Sequence, residues 1–225
     1  MIFRPPRQHP LRIAGPAGTL ELLLEDPRAD PADHAPPPGF AVVCHPHPLY
    51  GGTMTNKVVH MLARSLQERG LATLRFNYRG VGQSEGSYDE GLGETADALA
   101  VIAWGRERWP QAPLTLAGFS FGSMVALGAA AVADPVWLIT VAPAVANPAY
   151  GSISQPRCPW LIIQGESDEL VDYHAVIEFA GRFSPPPAVR LFPGVDHFFN
   201  GHMPQLRDAV LQGAAELAAA DTATR

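Results

Sequence analysis

The chain has 225 residues, enough for one domain at the larger end of the usual size range with a sizeable hydrophobic core. Hydrophobic residues make up 47% of the chain and charged residues 17%, which is typical of a globular protein and argues against disorder as its main state. The formal net charge is −6 and Lys57 is the only lysine, so no basic surface predicts binding to nucleic acid or to an anionic membrane.

The start of the chain carries charges but has neither the apolar stretch nor the small-residue cleavage site of a secretory signal. The longest apolar run, Met124 to Ala133, is about half of the ~20 residues that a membrane-spanning helix needs. We therefore expect a soluble, cytoplasmic protein. Cys44 and Cys158 are far apart in the sequence, which predicts two buried free thiols rather than a disulfide or a metal pair.

Two short apolar runs at residues 11–14 and 20–24, parted by Gly15-Pro16-Ala17-Gly18, predict a β-hairpin. A Pro-rich polar connection follows. From residue 40, apolar runs typical of buried strands alternate with segments whose apolar residues recur on one helical face. The predicted strands are residues 40–44, 72–78, 114–117, 136–141, 160–164 and 189–192; the predicted helices are residues 56–69, 92–109, 121–133, 173–183 and the stretch after Pro204.

Strands that alternate with helices of this length imply right-handed crossovers and a mainly parallel sheet. We expect one α/β domain over residues 1–225, with a twisted sheet of about seven to eight strands, helices on both faces and an antiparallel N-terminal hairpin. Ligands of such sheets bind outside the carboxyl ends of the strands, so reactive side chains are expected in the loops that leave each strand.

The pattern G-x-S-x-G, which often marks a nucleophilic serine, occurs around both Ser84 and Ser120. Ser120 lies where a predicted strand turns directly into an apolar, Ala-rich helix, which exposes the hydroxyl at the carboxyl edge of the sheet, near the positive end of the helix. The structural alternative for Ser120 is a buried helix N-cap. Ser84 is separated from its strand by Arg79-Gly80-Val81-Gly82 and no helix follows it, so we interpret Ser84 as a structural loop residue.

A serine hydroxyl needs a base, and the base needs a third group to orient it. In this strand-turn-helix context the partners follow in the order serine, acid, histidine. His174, His197 and His202 come late enough in the chain. His197 follows the last predicted strand and lies in a loop at the expected edge, so we assign it as the base, with His202 as the alternative.

The acid is expected in the turn GESDELVD, which follows the strand predicted at residues 160–164. Asp172 directly precedes a helix and is better explained as its N-cap. Glu166 lies close to the end of the strand, and Glu169 is interpreted as solvated. We assign Asp168, in the middle of the turn, as the group that orients His197 and stabilises its protonated form.

Acyl transfer also needs hydrogen-bond donors for the oxyanion that develops on the carbonyl oxygen. The backbone N–H of Phe121, directly after Ser120, is the first candidate. The second is expected from the loop HPHPLYGG after the first parallel strand, where the prolines leave the N–H groups of His47, Leu49 and Tyr50, and we favour Leu49. The two histidines of this loop lack a third obvious ligand, so no metal site is predicted.

Together these segments resemble the α/β-hydrolase superfamily, in particular small bacterial serine hydrolases of the esterase and dienelactone-hydrolase-like kind. The matching segments are CHPHPLYGG, NYRGVGQSEG, GFSFG, GESDELV and DHFF, spread from residue 40 to the end. The resemblance implies the α/β-hydrolase fold and a structural loop around Ser84. It also implies that the 18 residues 142–159 between two strands are too few for a cap domain, which leaves an open site.

We therefore expect a serine hydrolase of short-chain or compact carboxylic esters that forms an acyl-enzyme on Ser120, without a metal or an organic cofactor. Tyr50, Phe119 and Phe198 are candidates for the walls of the substrate pocket, although each also suits core packing. A thioesterase or a peptidase would use the same residues. The alternative from another class is a non-catalytic binding module of the same fold, and the sequence gives no indication of oligomeric state.

Overall fold

The computed structural model describes residues 7–27, 36–147 and 153–223, and it describes side chains for residues 8–27, 36–147 and 153–216. Among the described residues, no helix has both the length and the apolar character needed to cross a membrane. The strands in this part of the chain are β1 (Arg7–Gly15), β2 (Gly18–Asp26), β3 (Phe40–Cys44), β4 (Ala72–Phe76), β5 (Leu114–Phe119), β6 (Trp137–Val141), β7 (Trp160–Gly165) and β8 (Ala188–Phe192). The helices are α1 (Lys57–Glu68), α2 (Leu92–Arg108), α3 (Phe121–Ala133), α4 (Tyr173–Ala180) and α5 (Met203–Ala223), with a short 3-10 turn at Pro48–Tyr50.

The eight strands form one sheet in the order β1-β2-β4-β3-β5-β6-β7-β8. β1 and β2 are the antiparallel hairpin that the sequence predicts, with Leu11 opposite Leu22. β2 is also antiparallel to β4, with Leu22 opposite Phe76. The other six strands are mutually parallel. The hairpin therefore extends one edge of a parallel sheet, and β8 forms the opposite edge.

Helices cover both faces of the sheet, as predicted. Val59 of α1 and Leu206 of α5 belong to the hydrophobic core on one face. Ile102 of α2, Val125 of α3 and Phe179 of α4 belong to the core on the other face. Because both faces are covered, every residue of the five strands β3 to β7 is buried. This explains why most residues of these strands are apolar.

Two predicted elements end at least two residues earlier than the sequence suggests. β4 ends at Phe76 instead of Tyr78, because the Tyr78 N–H donates to a side chain, Nε2 of His45, at 3.2 Å. α4 ends at Ala180 instead of Phe183, because the N–H groups of residues 182 and 183 donate to carbonyl oxygens three residues back instead of four. The hydrophobic pattern does not report either of these hydrogen bonds.

The connection between β6 and β7 spans residues 142–159, of which residues 148–152 lie outside the described residues. Its described part contains turns and bends and neither a helix nor a strand. A segment of this length is a long loop and is too short for a helical cap domain. The described part of this connection therefore forms no cap over the carboxyl edge of the sheet, in line with the resemblance.

Both cysteines are free, as predicted, but their burial differs. Cys44 is fully buried in β3. The prediction of a buried thiol is wrong for Cys158, which is half-buried because it lies in the loop just before β7. There it lines a groove of about 720 Å³ with Trp160 and Phe183, at the amino end of β7. This groove lies at the edge of the sheet opposite to that of the predicted site.

Ser84 is a structural residue, as predicted. Its side chain is buried, its Oγ donates to the Asn77 carbonyl oxygen at 2.7 Å, and the Oγ accepts the Glu21 N–H at 2.9 Å. Nearby, the Arg79 guanidinium binds the buried carboxylate of Asp97 on α2, with Nη2 2.8 Å from Oδ1. The segment from Arg79 to Ser84 therefore joins β2, the end of β4 and α2.

His45 fixes the loop that follows β3. Its buried ring has Nδ1 2.7 Å from the Pro46 carbonyl oxygen, and its Nε2 accepts the Tyr78 N–H at 3.2 Å. These two bonds require the neutral ring with its proton on Nδ1. Burial lowers the pKa of His45 to about 3, although the hydrogen bond to Pro46 acts in the opposite direction.

We expect His45 to make the free energy of unfolding fall as the pH is lowered from 6.5. The unfolded chain takes up a proton at His45 near its ordinary pKa of 6.5, whereas the folded chain takes up none until about pH 3. Between these values the unfolded state binds more protons, so stability decreases by about 1.4 kcal/mol per pH unit that the pH falls.

Urea unfolding at about pH 6.5 and about pH 5 measures this effect, and His45 should account for a loss of about 2 kcal/mol. The loss in the variant His45→Gln should be smaller by at least about 1 kcal/mol. Burial also lowers the pKa of His47 and His60, but both remain in the two proteins and cancel in the comparison. Equal losses in the two proteins would contradict the prediction.

Candidate active site

Ser120 lies on a sharp turn between β5 and α3. Its backbone has φ 55° and ψ −119°, in a region that is unfavourable for a residue with a side chain. Two hydrogen bonds hold the turn: the Ser120 N–H donates to the Val141 carbonyl oxygen at 2.8 Å, and the Ser120 carbonyl oxygen accepts the Ser123 N–H at 2.9 Å. The serine is therefore held on a strained strand-to-helix turn at the carboxyl end of β5.

Gly118 and Gly122 permit this turn because neither position has room for a Cβ. A Cβ on Gly118 would lie 2.1 Å from the Gly122 carbonyl oxygen, and a Cβ on Gly122 would lie 2.4 Å from the Cys44 carbonyl oxygen. The first turn of α3 is thus in direct backbone contact with the end of β3. The two glycines of the pattern are required by this close approach.

Ser120 occupies the N-cap position of α3, but its side chain makes no capping hydrogen bond. The residue is also partly exposed. The alternative interpretation of Ser120 as a buried N-cap is therefore wrong. A partly exposed serine on this kind of turn is the arrangement expected of a nucleophile.

His197 and Asp168 form a buried hydrogen-bonded pair. His197 lies in the loop after β8, and its Nδ1 is 2.8 Å from Oδ2 of Asp168. The side chain of His197 is 3% exposed and that of Asp168 is 0% exposed. Because a carboxylate oxygen accepts, the proton of the neutral ring is on Nδ1, which leaves Nε2 as the acceptor.

Asp168 is held as an ionised carboxylate by several donors. Its Oδ1 accepts the N–H groups of Leu170 and Val171 at 2.9 and 2.8 Å, in addition to the bond from His197 to Oδ2. Burial by itself would raise the pKa of Asp168. The hydrogen bond and charge of His197, together with the two backbone donors, outweigh burial and lower the pKa below its ordinary value.

A second close backbone approach brings the acid turn to the histidine loop. A Cβ on Gly165 would lie 2.2 Å from the Val195 carbonyl oxygen, so only glycine fits at the end of β7. The Ser167 N–H also donates to the Val195 carbonyl oxygen at 3.0 Å. These contacts place Asp168 and His197 on adjacent loops.

The other candidates for the acid and the base have structural contacts. Asp172 caps α4, because its Oδ1 accepts the His174 N–H at 3.0 Å, as predicted. Glu169 accepts the His197 backbone N–H at 3.3 Å, so it contacts the histidine loop instead of being merely solvated. The Nδ1 of His202 is 2.7 Å from the Asn200 carbonyl oxygen, which makes His202 part of a local turn.

Phe119 links the serine turn to the histidine loop. It directly precedes Ser120, and the centroid of its ring lies 5.0 Å from that of the His197 ring. The serine turn and the Asp168–His197 pair therefore meet at the carboxyl ends of β5, β7 and β8, where the parallel topology predicts a site.

The backbone N–H of Phe121 is suited to bind an oxyanion because Phe121 is the first residue of α3. The first N–H groups of a helix have no intrahelical acceptor and lie at its positive end.

The expectation for the second donor, Leu49, needs correction. The Leu49 N–H donates to Nδ1 of His47 at 3.3 Å, and the Tyr50 N–H donates to the His47 carbonyl oxygen at 3.1 Å. Since both are engaged within the 3-10 turn, His47 is left as the candidate.

The three residues expected to line a pocket differ in their exposure to solvent. Phe119 is 0% exposed and packs beneath His197 and against Phe198, so the expectation that it lines an open pocket is wrong. Tyr50 is 87% exposed, with its ring centroid 4.7 Å from that of His47. Phe198 is half-buried and packs edge-on against His197 at 5.0 Å. Tyr50 and Phe198 can therefore contact a ligand near His197 or His47.

Tyr88 is a further residue of the site that the sequence does not single out. Its hydroxyl is 3.2 Å from Nε2 of His47, and its ring centroid lies 6.0 Å from that of Phe121. The ring of His47 also packs against Phe121 at 4.8 Å. Tyr88 follows the loop of the second G-x-S-x-G match. In the sequence, only this position after β4 indicates that Tyr88 lies at the carboxyl edge of the sheet.

Among the described residues, no group of three or more His, Cys, Asp or Glu side chains could hold a metal ion. His45 has both ring nitrogens hydrogen-bonded to the backbone, and His47 is bonded through Nδ1 to the Leu49 N–H and through Nε2 to Tyr88. The two histidines of the loop after β3 are thus occupied by structural hydrogen bonds.

Comparisons with known proteins agree with this fold. The family described as serine aminopeptidase, S33, matches residues 40–156. An uncharacterized protein of Rickettsia prowazekii is 34% identical over 170 residues, which cover 71% of this chain and 71% of the relative.

Two solved structures are similar over nearly the whole chain. A lidless α/β serine hydrolase from Xanthomonas campestris is 40% identical with a TM-score of 0.86, and the match covers 96% of this chain and 97% of the other. An α/β serine hydrolase homologue from Coxiella burnetii is 41% identical with a TM-score of 0.84, and the match covers 91% and 96% of the two chains. The chain therefore belongs to the α/β-hydrolase superfamily, within the serine aminopeptidase family S33.

Proposed function

We propose that this protein is a serine hydrolase that cleaves short-chain or compact carboxylic esters through an acyl-enzyme on Ser120. The observation that carries the proposal is the buried Asp168–His197 pair, with an Nδ1 to Oδ2 distance of 2.8 Å, beside the strained turn that bears Ser120. A nucleophile, a base and a group that orients the base are the parts that acyl transfer requires.

In the proposed reaction, Oγ of Ser120 attacks the ester carbonyl carbon while Nε2 of His197 takes the hydroxyl proton. Asp168 holds the ring with its proton on Nδ1 and stabilises the imidazolium that forms. His197 then gives the proton to the leaving alcohol, and the acyl group remains on Ser120. A water molecule then attacks the acyl carbon while Nε2 of His197 takes one of its protons. His197 returns this proton to Oγ of Ser120 as the bond to the acyl group breaks and the acid is released.

Backbone N–H groups would stabilise the negative charge that develops on the carbonyl oxygen. Phe121 supplies one N–H from the start of α3, where the helix dipole adds to the effect. For the second donor we propose His47, since the N–H groups of Leu49 and Tyr50 donate within the 3-10 turn. The loop after β3 lies against the serine turn, because a Cβ on Gly122 would lie 2.5 Å from the His45 carbonyl oxygen.

An open site supports a compact substrate. The 18-residue connection between β6 and β7 is too short for a cap that would enclose a long acyl chain. Exposed or half-exposed aromatic rings near the serine turn, those of Tyr50, Tyr88 and Phe198, provide apolar contact area without a deep tunnel.

A peptidase or amidase is the second candidate, because the matching family is described as serine aminopeptidase. The same residues would act, with His197 protonating a leaving amine in place of an alcohol. A thioesterase would likewise use Ser120, Asp168 and His197. A non-catalytic binding module of the same fold would leave Ser120 unreactive.

We expect a fluorophosphonate probe to label the wild-type protein covalently at Ser120, because only an activated serine attacks this reagent at a useful rate. Mass spectrometry of the labelled peptide identifies the site. Ser120→Ala should abolish labelling, whereas Ser84→Ala, at the matched second G-x-S-x-G pattern, should still be labelled. An unlabelled wild type, or equal labelling of Ser120→Ala, would rule out the proposed nucleophile.

Asp168→Asn should lower the rate of ester hydrolysis by about 10³- to 10⁴-fold, because an amide in place of the carboxylate favours the wrong tautomer of His197. Asp172→Asn is the matched control, since Asn also caps a helix and Asp172 does not contact His197. The measurement is kcat/KM on p-nitrophenyl acetate for folded protein. Losses of similar size in the two variants would contradict the assignment of Asp168.

The chain-length preference tests the substrate class. On a panel of p-nitrophenyl esters from acetate to palmitate, kcat/KM should be highest for the short chains, because the open site cannot bury a long acyl chain. Acyl-CoA thioesters and aminoacyl amides on the same panel distinguish the thioesterase and peptidase alternatives. A preference for palmitate would contradict the open site.

A further inference from the structure

Gln164 is a buried polar side chain in an otherwise apolar strand. It is the last residue but one of β7 and is fully buried. Burial of a primary amide is unfavourable unless the amide forms hydrogen bonds. The hydrogen bonds of Gln164 therefore indicate why a glutamine is accommodated there.

Three oxygen atoms surround the NH₂ group of Gln164. Its Nε2 lies 3.0 Å from the Gly165 carbonyl oxygen, 3.0 Å from Oδ2 of Asp168 and 3.3 Å from the Val171 carbonyl oxygen. These acceptors fix the orientation of the amide, because the reversed amide would place Oε1 against three oxygens. Oε1 has no hydrogen-bond partner in the described part of the chain. The environment is thus built around the donor end of this side chain.

One of these acceptors is the oxygen that binds His197. Oδ2 of Asp168 accepts from His197 Nδ1 at 2.8 Å and from Gln164 Nε2 at 3.0 Å, while Oδ1 accepts two backbone N–H groups. Asp168 is 0% exposed, so donors from the protein must replace water around its charge. Gln164 supplies such a donor without adding a charge that would compete with His197.

We propose that Gln164 is a positioning residue for the proposed reaction: its amide holds Oδ2 of Asp168 beside Nδ1 of His197 and favours the ionised carboxylate. The inference rests on the proposed function, because it takes Asp168 and His197 as the pair that activates Ser120. Gln164 acts through Asp168 and does not contact the substrate.

Loss of the amide changes the pair in two ways. The carboxylate of Asp168 loses one of its two side-chain donors and is less firmly oriented. The positive end of the amide dipole no longer opposes protonation of the Asp168–His197 pair, so the pair takes up a proton at higher pH. Activation of Ser120 should therefore be slower and should be lost at a higher pH as the solution is acidified.

The other charged groups next to the pair are the same in the wild type and in Gln164→Met. Glu169 accepts the His197 backbone N–H, and Asp196 is bonded to Asn200 in the same loop. In the described part of the chain, the side chain of Gln164 is hydrogen-bonded to Gly165, Asp168 and Val171 and to neither of these carboxylates. A change in the pH profile on substitution of Gln164 is therefore due to the amide.

The experiment measures the rate constant for fluorophosphonate labelling of Ser120 as a function of pH, which does not depend on the natural substrate. Gln164→Met keeps the length of the side chain and removes its donor. We expect labelling about tenfold slower at neutral pH, which is the size of effect known for residues that orient metal-binding side chains through a hydrogen bond. The acidic limb of the profile should move upward by roughly half a pH unit or more.

Gln67→Met is the matched control. Gln67 is also buried, and its Nε2 donates to Oγ1 of Thr73 at 2.7 Å, away from the Asp168–His197 pair. This substitution should lower stability without moving the acidic limb. A profile that is unchanged in Gln164→Met, or that moves equally in Gln67→Met, overturns the inference.

A second variant tests the role of Gln164 if Gln164→Met does not fold. Gln164→Glu keeps the shape and can still donate to Asp168 while the new carboxyl group is protonated. Its labelling rate should fall again as that carboxyl group ionises and repels Asp168, which adds an alkaline limb that the wild type lacks. Absence of this limb overturns the inference. Failure of the wild type to label would instead overturn the proposed function.

Discussion

Backbone packs directly on backbone at the carboxyl edge of this sheet, and the position of every reactive group depends on it. No Cβ fits at Gly118, Gly122 or Gly165, where the nearest carbonyl oxygens would lie 2.1 to 2.4 Å away. The contact at Gly118 holds the end of β5 against the first turn of α3, and the contact at Gly122 holds that turn against the end of β3. The contact at Gly165 holds the acid turn against the histidine loop. The ionisable side chains of Asp168 and His197 can then meet in a buried position because the main chain has already brought their loops together.

Much of this architecture can be predicted from the hydrophobic pattern of the sequence. Strands covered on both faces consist mostly of apolar residues, and helices packed on the sheet show apolar residues on one face. The alternation of strands and helices and the parallel sheet follow from these two patterns. The topology then limits which loops share an edge, and this is why the order of Ser120, Asp168 and His197 was sufficient to nominate them. The context of each G-x-S-x-G pattern, more than the pattern, separated Ser120 from the structural Ser84.

The remaining features depend on hydrogen bonds and side-chain orientations that cannot be predicted from a local sequence pattern. Leu49 has a backbone N–H, but the His47 ring accepts it across the 3-10 turn. Phe119 is aromatic and adjacent to Ser120, yet as the last residue of β5 it packs in the core beneath His197. In the sequence, Gln164 is an isolated polar residue in an apolar strand. Its role becomes apparent only in the structure, where the turn after β7 brings Asp168 within hydrogen-bond distance of it.

The pairing of β2 with β4 has a consequence for the way in which the chain is assembled. The hairpin is complete at Asp26, whereas its neighbour in the sheet begins at Ala72, and β3 lies on the far side of β4. Further contacts come later still, since Thr19 and Glu21 of β2 bond to Glu85 and Ser84. During synthesis the hairpin therefore has an unpaired edge while about fifty more residues are made, at a stage when such an edge can pair wrongly. The hairpin can therefore join the sheet only after β4 has been made.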